Sequence, residues 1–177
     1  MAFDRNNRGA YELSAIQSFN PQSFNPQSFI HSTPPCMTPK EKAYQIAQKQ
    51  MYDKDAFSKW LGIKIIDLDR GSALLEMIIR PEMTNGFDIA HGGITYALAD
   101  SAFAFASNST GRKSVSIETS ISHTQALKVG DVIQAVAKQE SETNKLGIYS
   151  VKVTKFDGTT VALFKGTVYR TSREWEV

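Results

Sequence analysis

The stretch from Gly92 to Ser107 has a helical composition and is apolar on nearly every side. A helix without a polar face is stable when protein surrounds it. Asp100 interrupts the stretch, and no segment of the chain reaches the run of about 18 apolar residues that a membrane span needs. The sequence therefore predicts a helix buried inside a globular domain.

Six strand patterns flank this helix, two before it and four after it. Polar residues alternate with apolar ones in the later strands, which is typical of a sheet with one buried face. The strands are predicted at 61–68, 72–80, 113–123, 131–142, 146–155 and 160–170.

A further helix is predicted between Pro39 and Trp60 from the spacing of its apolar residues. Thr38 is suited to cap it, and Pro39 suits the first helical position. The order is then helix, two strands, buried helix, four strands. This order predicts an α+β domain with the hotdog fold, in which a six-stranded antiparallel sheet wraps one long central helix.

Residues 1–36 differ in composition from the rest of the chain. The segment from Ser18 to Phe29 reads SFNPQSFNPQSF, a six-residue repeat with little apolar surface to bury. We interpret 1–36 as a disordered leader that derives from a vector or from upstream translation, and a genuine interaction tail is the alternative. The hotdog domain is predicted to span 37–177.

Charge and cysteine content exclude several classes of protein. The net charge is +2, from 20 basic and 18 acidic residues, which is too balanced to indicate a nucleic-acid-binding protein. Cys36 is the single cysteine, so no intrachain disulfide can form. The three histidines share no metal-ligand spacing, so no metal site is predicted. A reducing cytoplasm is the expected location.

Two glycines at the start of the central helix favour a functional interpretation. His91-Gly92-Gly93 opens the helix, although glycine there costs backbone entropy. The absence of side chains lets a ligand approach the unpaired N–H groups of the first turn, which can polarise a carbonyl and stabilise an oxyanion. A tight turn into the helix is the structural alternative.

Asp100 is the second unusual residue, because it lies in the middle of an apolar helix and cannot cap it. A buried carboxylate is costly unless it is paired or used in catalysis. A nucleophile or a general base is the functional interpretation, and a carboxylate satisfied by backbone groups or a cation is the structural one.

The spacing of these residues predicts an oligomer. Gly92 and Asp100 are eight residues apart, roughly 12 Å along a helix. A nucleophile and an oxyanion donor must both lie within about 3 Å of one carbonyl group. Two antiparallel helices related by a two-fold axis satisfy both conditions, because Gly92 of one chain then meets Asp100 of the other.

The run NGFDIAHGGITYALADSAFAFASNS resembles the signature of the phenylacetic-acid-degradation thioesterases, the PaaI group of hotdog enzymes. The later strands resemble those of the same family in the same order, over roughly 60–171. The resemblance implies a homodimer or dimer of dimers that hydrolyses acyl-CoA thioesters. Aryl-acetyl-CoA substrates such as phenylacetyl-CoA, or its hydroxylated forms, are expected. No cofactor is expected, since coenzyme A is part of the substrate.

The resemblance also implies roles for five residues. Asp100 matches the catalytic carboxylate, and Gly92 matches the backbone donor to the thioester carbonyl. His91 and Asn85 match the residues that flank this carbonyl, while Ser116 aligns with a serine that orients the water in some relatives. His91 as a simple helix cap, and Asn85-Gly86 as an ordinary turn, are the structural alternatives.

One segment departs from the family pattern. His123-Thr124-Gln125-Ala126 replaces a more usual apolar-Arg-Pro run, which puts the identity of the substrate in question. His123 itself is interpreted as a structural hydrogen-bonding residue rather than a site residue. Two other functions remain open: an acyl-thioester dehydratase or hydratase of the same fold, and a non-enzymatic acyl-CoA-binding module.

Overall fold

The computed structural model describes residues 37–177, so the predicted leader lies outside the described residues. Helix α1 spans Pro39–Tyr44 and begins with the predicted cap, since Thr38 and Glu41 bond each other's backbone N–H groups. A π-helical turn at Gln45–Met51 and a 3-10 turn at Tyr52–Lys54 follow.

The N-terminal helix is present as predicted from Pro39 onwards, but it breaks at Asp55, before the predicted end near Trp60. Asp55 has an extended backbone, and its carboxylate accepts the N–H groups of Phe57 and Ser58 at 3.0 Å each. An aspartate in this position starts a new helix by satisfying its free N–H groups. Helix α2 therefore spans Ala56–Leu61 as a separate element.

The six predicted strands are all present, and their bounds differ from the predicted ones by a few residues at most. The strands are β1 Lys64–Asp69, β2 Ser72–Ile78, β3 Arg112–His123, β4 Val132–Glu142, β5 Leu146–Lys155 and β6 Thr160–Glu174. They form one antiparallel sheet in the order β1-β2-β4-β5-β6-β3. β3 follows the central helix in sequence but pairs with β6, so β1 and β3 form the two edges.

The central helix α3 spans Gly92–Asn108, and 11 of its 17 residues are buried. The aromatic ring of Phe103 packs at 5.7 Å from that of Tyr149 and at 5.6 Å from that of Phe164. Gly166 lies beneath the same ring, where an added Cβ atom would come within 2.7 Å of Phe103. The sheet thus encloses the helix closely, as the hotdog fold predicts. Among residues 37–177, no helix has the length and hydropathy required to cross a bilayer.

The end of α3 is tied to the start of β3. The Asn108 side chain accepts the Ser114 N–H at 3.0 Å and donates to the Ser114 carbonyl at 3.2 Å. The indole of Trp175 donates to the same Asn108 oxygen at 2.9 Å. Because the chain reverses at this point, β3 runs back along α3 towards the beginning of the helix.

Candidate active site

The first turn of α3 is capped by His91. Its backbone is extended, and its Nδ1 accepts the Gly93 N–H at 2.9 Å. The His91 N–H donates to the Met83 carbonyl at 2.9 Å, which fixes where the chain enters the helix. His91 therefore caps the helix, which is the structural alternative that the sequence allowed for this residue. Its exposed ring does not line the cavity described next.

The Gly92 N–H has no acceptor among residues 37–177, although its neighbours in the first turn are bonded. It lies at a cavity of about 350 Å³. An unpaired N–H at a helix N-terminus favours a partial negative charge. The lining residues are Asn85, Ile89, Ala90, Gly92, Thr95, His123, Thr124, Gln125, Ala126 and Leu127.

Asn85 is held in a tight loop at the same cavity. Its N–H donates to the Ile89 carbonyl at 2.8 Å, and its Oδ1 accepts the Phe87 N–H at 2.9 Å. Asp88, which follows, has a positive φ of 57°. The Asn85 Nδ2 has no acceptor within the part of the chain that the structure describes. The residue is thus both a turn residue, as the structural alternative proposed, and a polar group at the cavity.

Asp100 lies two turns further along α3 and is partly buried between the buried residues Ala99 and Ser101. No described residue donates a hydrogen bond to its carboxylate or pairs with it as a cation. Burial raises the pKa of Asp100 above its ordinary value, because desolvation disfavours the charged form. Residues 37–177 therefore offer none of the backbone or cationic partners that the structural alternative required.

Gly92, Tyr96, Asp100 and Ala104 form one stripe of α3 that protein covers only in part. Residues spaced by four lie on nearly the same side of a helix. The Tyr96 hydroxyl lies 2.7 Å from the hydroxyl of Thr119 in β3, so this stripe faces the edge strand. We refer to these four residues as the open stripe.

Ser116 lies on β3, on the same side of the sheet as α3. It pairs with Val168 of β6, whose side chain is buried in the core, and directly paired residues share one face of a sheet. The Ser116 residue is exposed. Ser116 therefore faces the side of the sheet that is covered by α3, the helix that carries Asp100.

A single chain brings the predicted residues into two groups. Asn85 and Gly92 meet at the cavity, while Asp100 and Ser116 lie in the α3–β3 region. Asp100 does not line the cavity, and the helical rise separates it from Gly92 by roughly 12 Å. One chain thus presents two parts of a site.

His123 was interpreted from sequence as a structural residue, but it also lines the cavity. Its Nε2 lies 3.2 Å from the Gly92 carbonyl oxygen. Tyr96 and Thr119 were not singled out at all. The spacing of four between Tyr96 and Asp100 was the available signal for the tyrosine, whereas nothing in the sequence pairs His123 with Gly92.

Comparison with known proteins agrees with this architecture. Residues 87–162 match the model of the thioesterase superfamily. The chain is 38% identical over 129 residues to the acyl-coenzyme A thioesterase PaaI of Escherichia coli, an alignment that covers 73% of this chain and 91% of the relative.

Solved structures agree as well. The structure of the E. coli PaaI protein from the phenylacetic acid degradation operon superimposes with a TM-score of 0.75 at 35% identity, covering 77% of this chain and 99% of that one. A variant of the phenylacetic acid degradation protein PaaI from Thermus thermophilus gives a TM-score of 0.64 at 37% identity, covering 66% and 100%. With its hotdog fold and these relatives, the chain belongs to the thioesterase superfamily.

Proposed function

We propose that this protein hydrolyses acyl-CoA thioesters to a free acid and CoA, with Asp100 as the catalytic carboxylate. The observation that carries the proposal is the Asp100 carboxylate itself, partly buried and unpaired within the described residues. The family, and a 38% identical relative named as an acyl-CoA thioesterase, support the reaction. A binding module would have no use for such a carboxylate.

The chemistry needs only groups that the chain and water supply. The carboxylate either attacks the thioester carbon directly, giving an anhydride that water then cleaves, or it takes a proton from a water that attacks instead. In both routes the C–S bond breaks and CoA leaves as the thiol after protonation. The Gly92 N–H holds the carbonyl oxygen while negative charge develops on it. No cofactor takes part, and we expect the reaction in the cytoplasm.

We propose that each site is shared by two copies of the chain. β3 pairs only with β6, so its other edge is open among residues 37–177, and Val115 and Ile117 on it are 54% and 57% exposed. A long apolar edge favours pairing with another strand. The open stripe faces this edge, so a second copy related by a two-fold axis would bring its α3 alongside in the opposite direction. Gly92 of one chain would then meet Asp100 of the other, in a dimer or a dimer of dimers.

Aryl-acetyl-CoA esters are the substrates that we propose, including phenylacetyl-CoA and its hydroxylated forms. Two relatives are described by their part in phenylacetic acid degradation. The cavity beside Gly92 combines apolar residues such as Ile89 and Leu127 with polar ones such as Asn85 and Thr95. This lining suits an acyl group that has an apolar ring and a polar substituent.

A hydrolysis assay over a panel of acyl-CoA esters tests the reaction and the substrate together. Release of the free CoA thiol is measured for acetyl-, hexanoyl-, benzoyl-, phenylacetyl- and hydroxyphenylacetyl-CoA. We expect the aryl-acetyl esters to give the highest kcat/KM. Binding of these esters without release of thiol would indicate the acyl-CoA-binding module, and hydration of an enoyl-CoA ester would indicate the hydratase.

Mixing two inactive variants tests the shared site. An Asp100→Asn chain and a Gly92→Pro chain each lack one half of the site. Refolding them together should restore part of the activity, because some dimers then hold one intact Gly92–Asp100 pair. Absence of any recovery in verified mixed dimers, or full activity in a verified monomer, would contradict the shared site.

A further inference from the structure

Two imidazole rings hold the same peptide group at the start of α3. The Gly92 carbonyl oxygen lies 3.2 Å from the His123 Nε2, and the Gly93 N–H donates to the His91 Nδ1 at 2.9 Å. These oxygen and hydrogen atoms belong to the one peptide that joins Gly92 to Gly93. The peptide is therefore bonded at both ends by side chains, in addition to its place in the helix.

The hydrogen bonds determine which ring nitrogens carry hydrogen. A carbonyl oxygen only accepts, so the His123 Nε2 carries a hydrogen. A backbone N–H only donates, so the His91 Nδ1 does not. Hydrogen bonds to both ends of one amide strengthen each other, because each polarises the group for the other. His123 thus supports the cap that His91 forms.

Glycine stands beside both rings. A Cβ atom on Gly93 would come within 3.0 Å of the His91 Nδ1, whereas one on Gly92 would be in ordinary van der Waals contact with the His123 ring at 3.4 Å. The two glycines give the backbone here the greatest freedom of any residue. The two rings restrict this freedom at the point where the unpaired Gly92 N–H meets the cavity.

The position of His123 is itself well fixed. It is the last residue of β3 and pairs with Ala162 of β6. The next residue, Thr124, donates its N–H to the Val161 carbonyl at 2.9 Å and its hydroxyl to the Thr160 carbonyl at 2.8 Å. The sheet therefore fixes the position of His123. The hydrogen bond from its ring to the Gly92 carbonyl in turn holds the start of the helix against the sheet.

We propose that His123 is a positioning residue for thioester hydrolysis: by holding the Gly92–Gly93 peptide it restricts rotation of the Gly92 backbone, and so preorganises the Gly92 N–H, which belongs to the preceding peptide, for the thioester oxygen. The inference rests on the proposed function. A donor that is already oriented stabilises the transition state without reorganising. His123 acts through the backbone rather than on the substrate, so its loss should lower kcat more than it raises KM.

Three variants of His123 test the proposal. His123→Gln keeps an amide N–H at the reach of Nε2, His123→Asn has the same chemistry on a shorter side chain, and His123→Phe has no donor. We expect His123→Phe and His123→Asn to lower kcat about fivefold to tenfold, as for one lost hydrogen bond. His123→Gln should stay within about threefold of the wild type. Ser122→Ala, on the outer face of β3, is the control.

Amide hydrogen exchange and ¹⁵N chemical shifts give a readout that needs no substrate. In His123→Phe and His123→Asn the Gly93 N–H should exchange faster, and the His91 Nδ1 should lose part of its signature as an unprotonated nitrogen. His123→Gln should restore both. The Gln and Asn variants differ by one methylene, so comparing them remains informative even if His123→Phe does not fold.

The proposal is overturned if His123→Asn leaves both kcat and Gly93 exchange unchanged, or if its effect lies entirely in KM, which would make His123 a substrate contact. Failure of the proposed function is a separate result: the wild type would then hydrolyse no ester in the panel. The exchange measurement would still report whether His123 holds the peptide.

Discussion

The Tyr96 hydroxyl lies 2.7 Å from the Thr119 hydroxyl, so a side-chain hydrogen bond joins the central helix to the edge strand one turn before Asp100. Tyr96 is only partly buried, and its ring packs edge-on against Phe164 at 5.7 Å. The contact fixes α3 against β3 within the region where the two copies are proposed to meet.

A double-mutant cycle measures this link. Tyr96→Phe and Thr119→Val should each lower the free energy of unfolding by about 1 kcal/mol, because each removes the same hydrogen bond. The double variant should then lose little more free energy of unfolding than either single variant. This result corresponds to a coupling free energy of about 1 kcal/mol between the two side chains. Urea unfolding measures all four proteins, and simple additivity would show that the hydroxyl contact contributes nothing.

Asp100→Asn should lower kcat by a factor on the order of 100 or more, the scale expected for loss of a nucleophile or general base. Asparagine has nearly the same shape but is neutral, so the fold and the affinity for CoA should stay near those of the wild type. Turnover of phenylacetyl-CoA and the melting temperature are the measurements. Asp53→Asn, on the exposed turn after the π-helix, is the control. Retention of most turnover would refute the assignment.

The stability of the protein should depend on pH through Asp100. Burial raises the pKa of this carboxyl in the folded state, so the folded protein binds the proton more tightly than the unfolded chain. The resulting stabilisation is fully present below the unfolded pKa of about 3.9 and is lost as pH rises through the folded pKa. The Asp100→Asn variant does not lose stability in this way, because asparagine does not titrate.

We therefore expect Asp100→Asn to gain free energy of unfolding relative to the wild type between about pH 4 and neutrality. Urea unfolding of both proteins across this range measures the difference. A difference that shrinks as pH rises would mean that a cation stabilises the carboxylate in the assembled protein.

Gly92→Pro removes the proposed oxyanion donor with little cost to the helix. Proline is favoured at the first helical position, and the preceding His91 already has the extended backbone, φ −62° and ψ 135°, that proline requires. We expect kcat to fall by about 100-fold to 1,000-fold, as for one oxyanion donor. Gly92→Ala is the matched control, because it keeps the N–H and adds the same Cβ contact. We expect its kcat to fall much less than that of Gly92→Pro. Equal losses in both variants would point to sterics instead.

Gly166→Ala should destabilise the core by about 1–3 kcal/mol, the usual cost of overpacking. The added Cβ atom would lie 2.7 to 2.9 Å from three atoms of the Phe103 ring. Thermal and urea unfolding measure the loss. Shortening the neighbour in a Gly166→Ala/Phe103→Leu variant should reduce the penalty of the alanine, and a penalty independent of residue 103 would indicate a backbone effect.

Much of the fold could be predicted from local patterns. The apolar circumference of α3 predicted its burial, and the strand patterns on either side of it predicted all six strands to within a few residues. The N-terminal helix was predicted as well, but its break at Asp55 was not, because the apolar spacing persists across Asp55 while its carboxylate caps a new helix there. A cap depends on a local backbone geometry that periodicity does not report.

The helix, its glycine opening and the unusual carboxylate could all be predicted from the sequence, because these properties depend on residues close together in the chain. From the helical rise alone it also predicted that Gly92 and Asp100 of one chain stand too far apart to act together. The path of β3, which turns back along α3 and crosses to the far edge of the sheet, could not be predicted in this way and was revealed by the fold. That path brings His123 to the Gly92 carbonyl and Thr119 to Tyr96, and it leaves one stripe of the helix uncovered. Such contacts join residues more than 20 positions apart, and their formation depends on strand order, which no local pattern specifies.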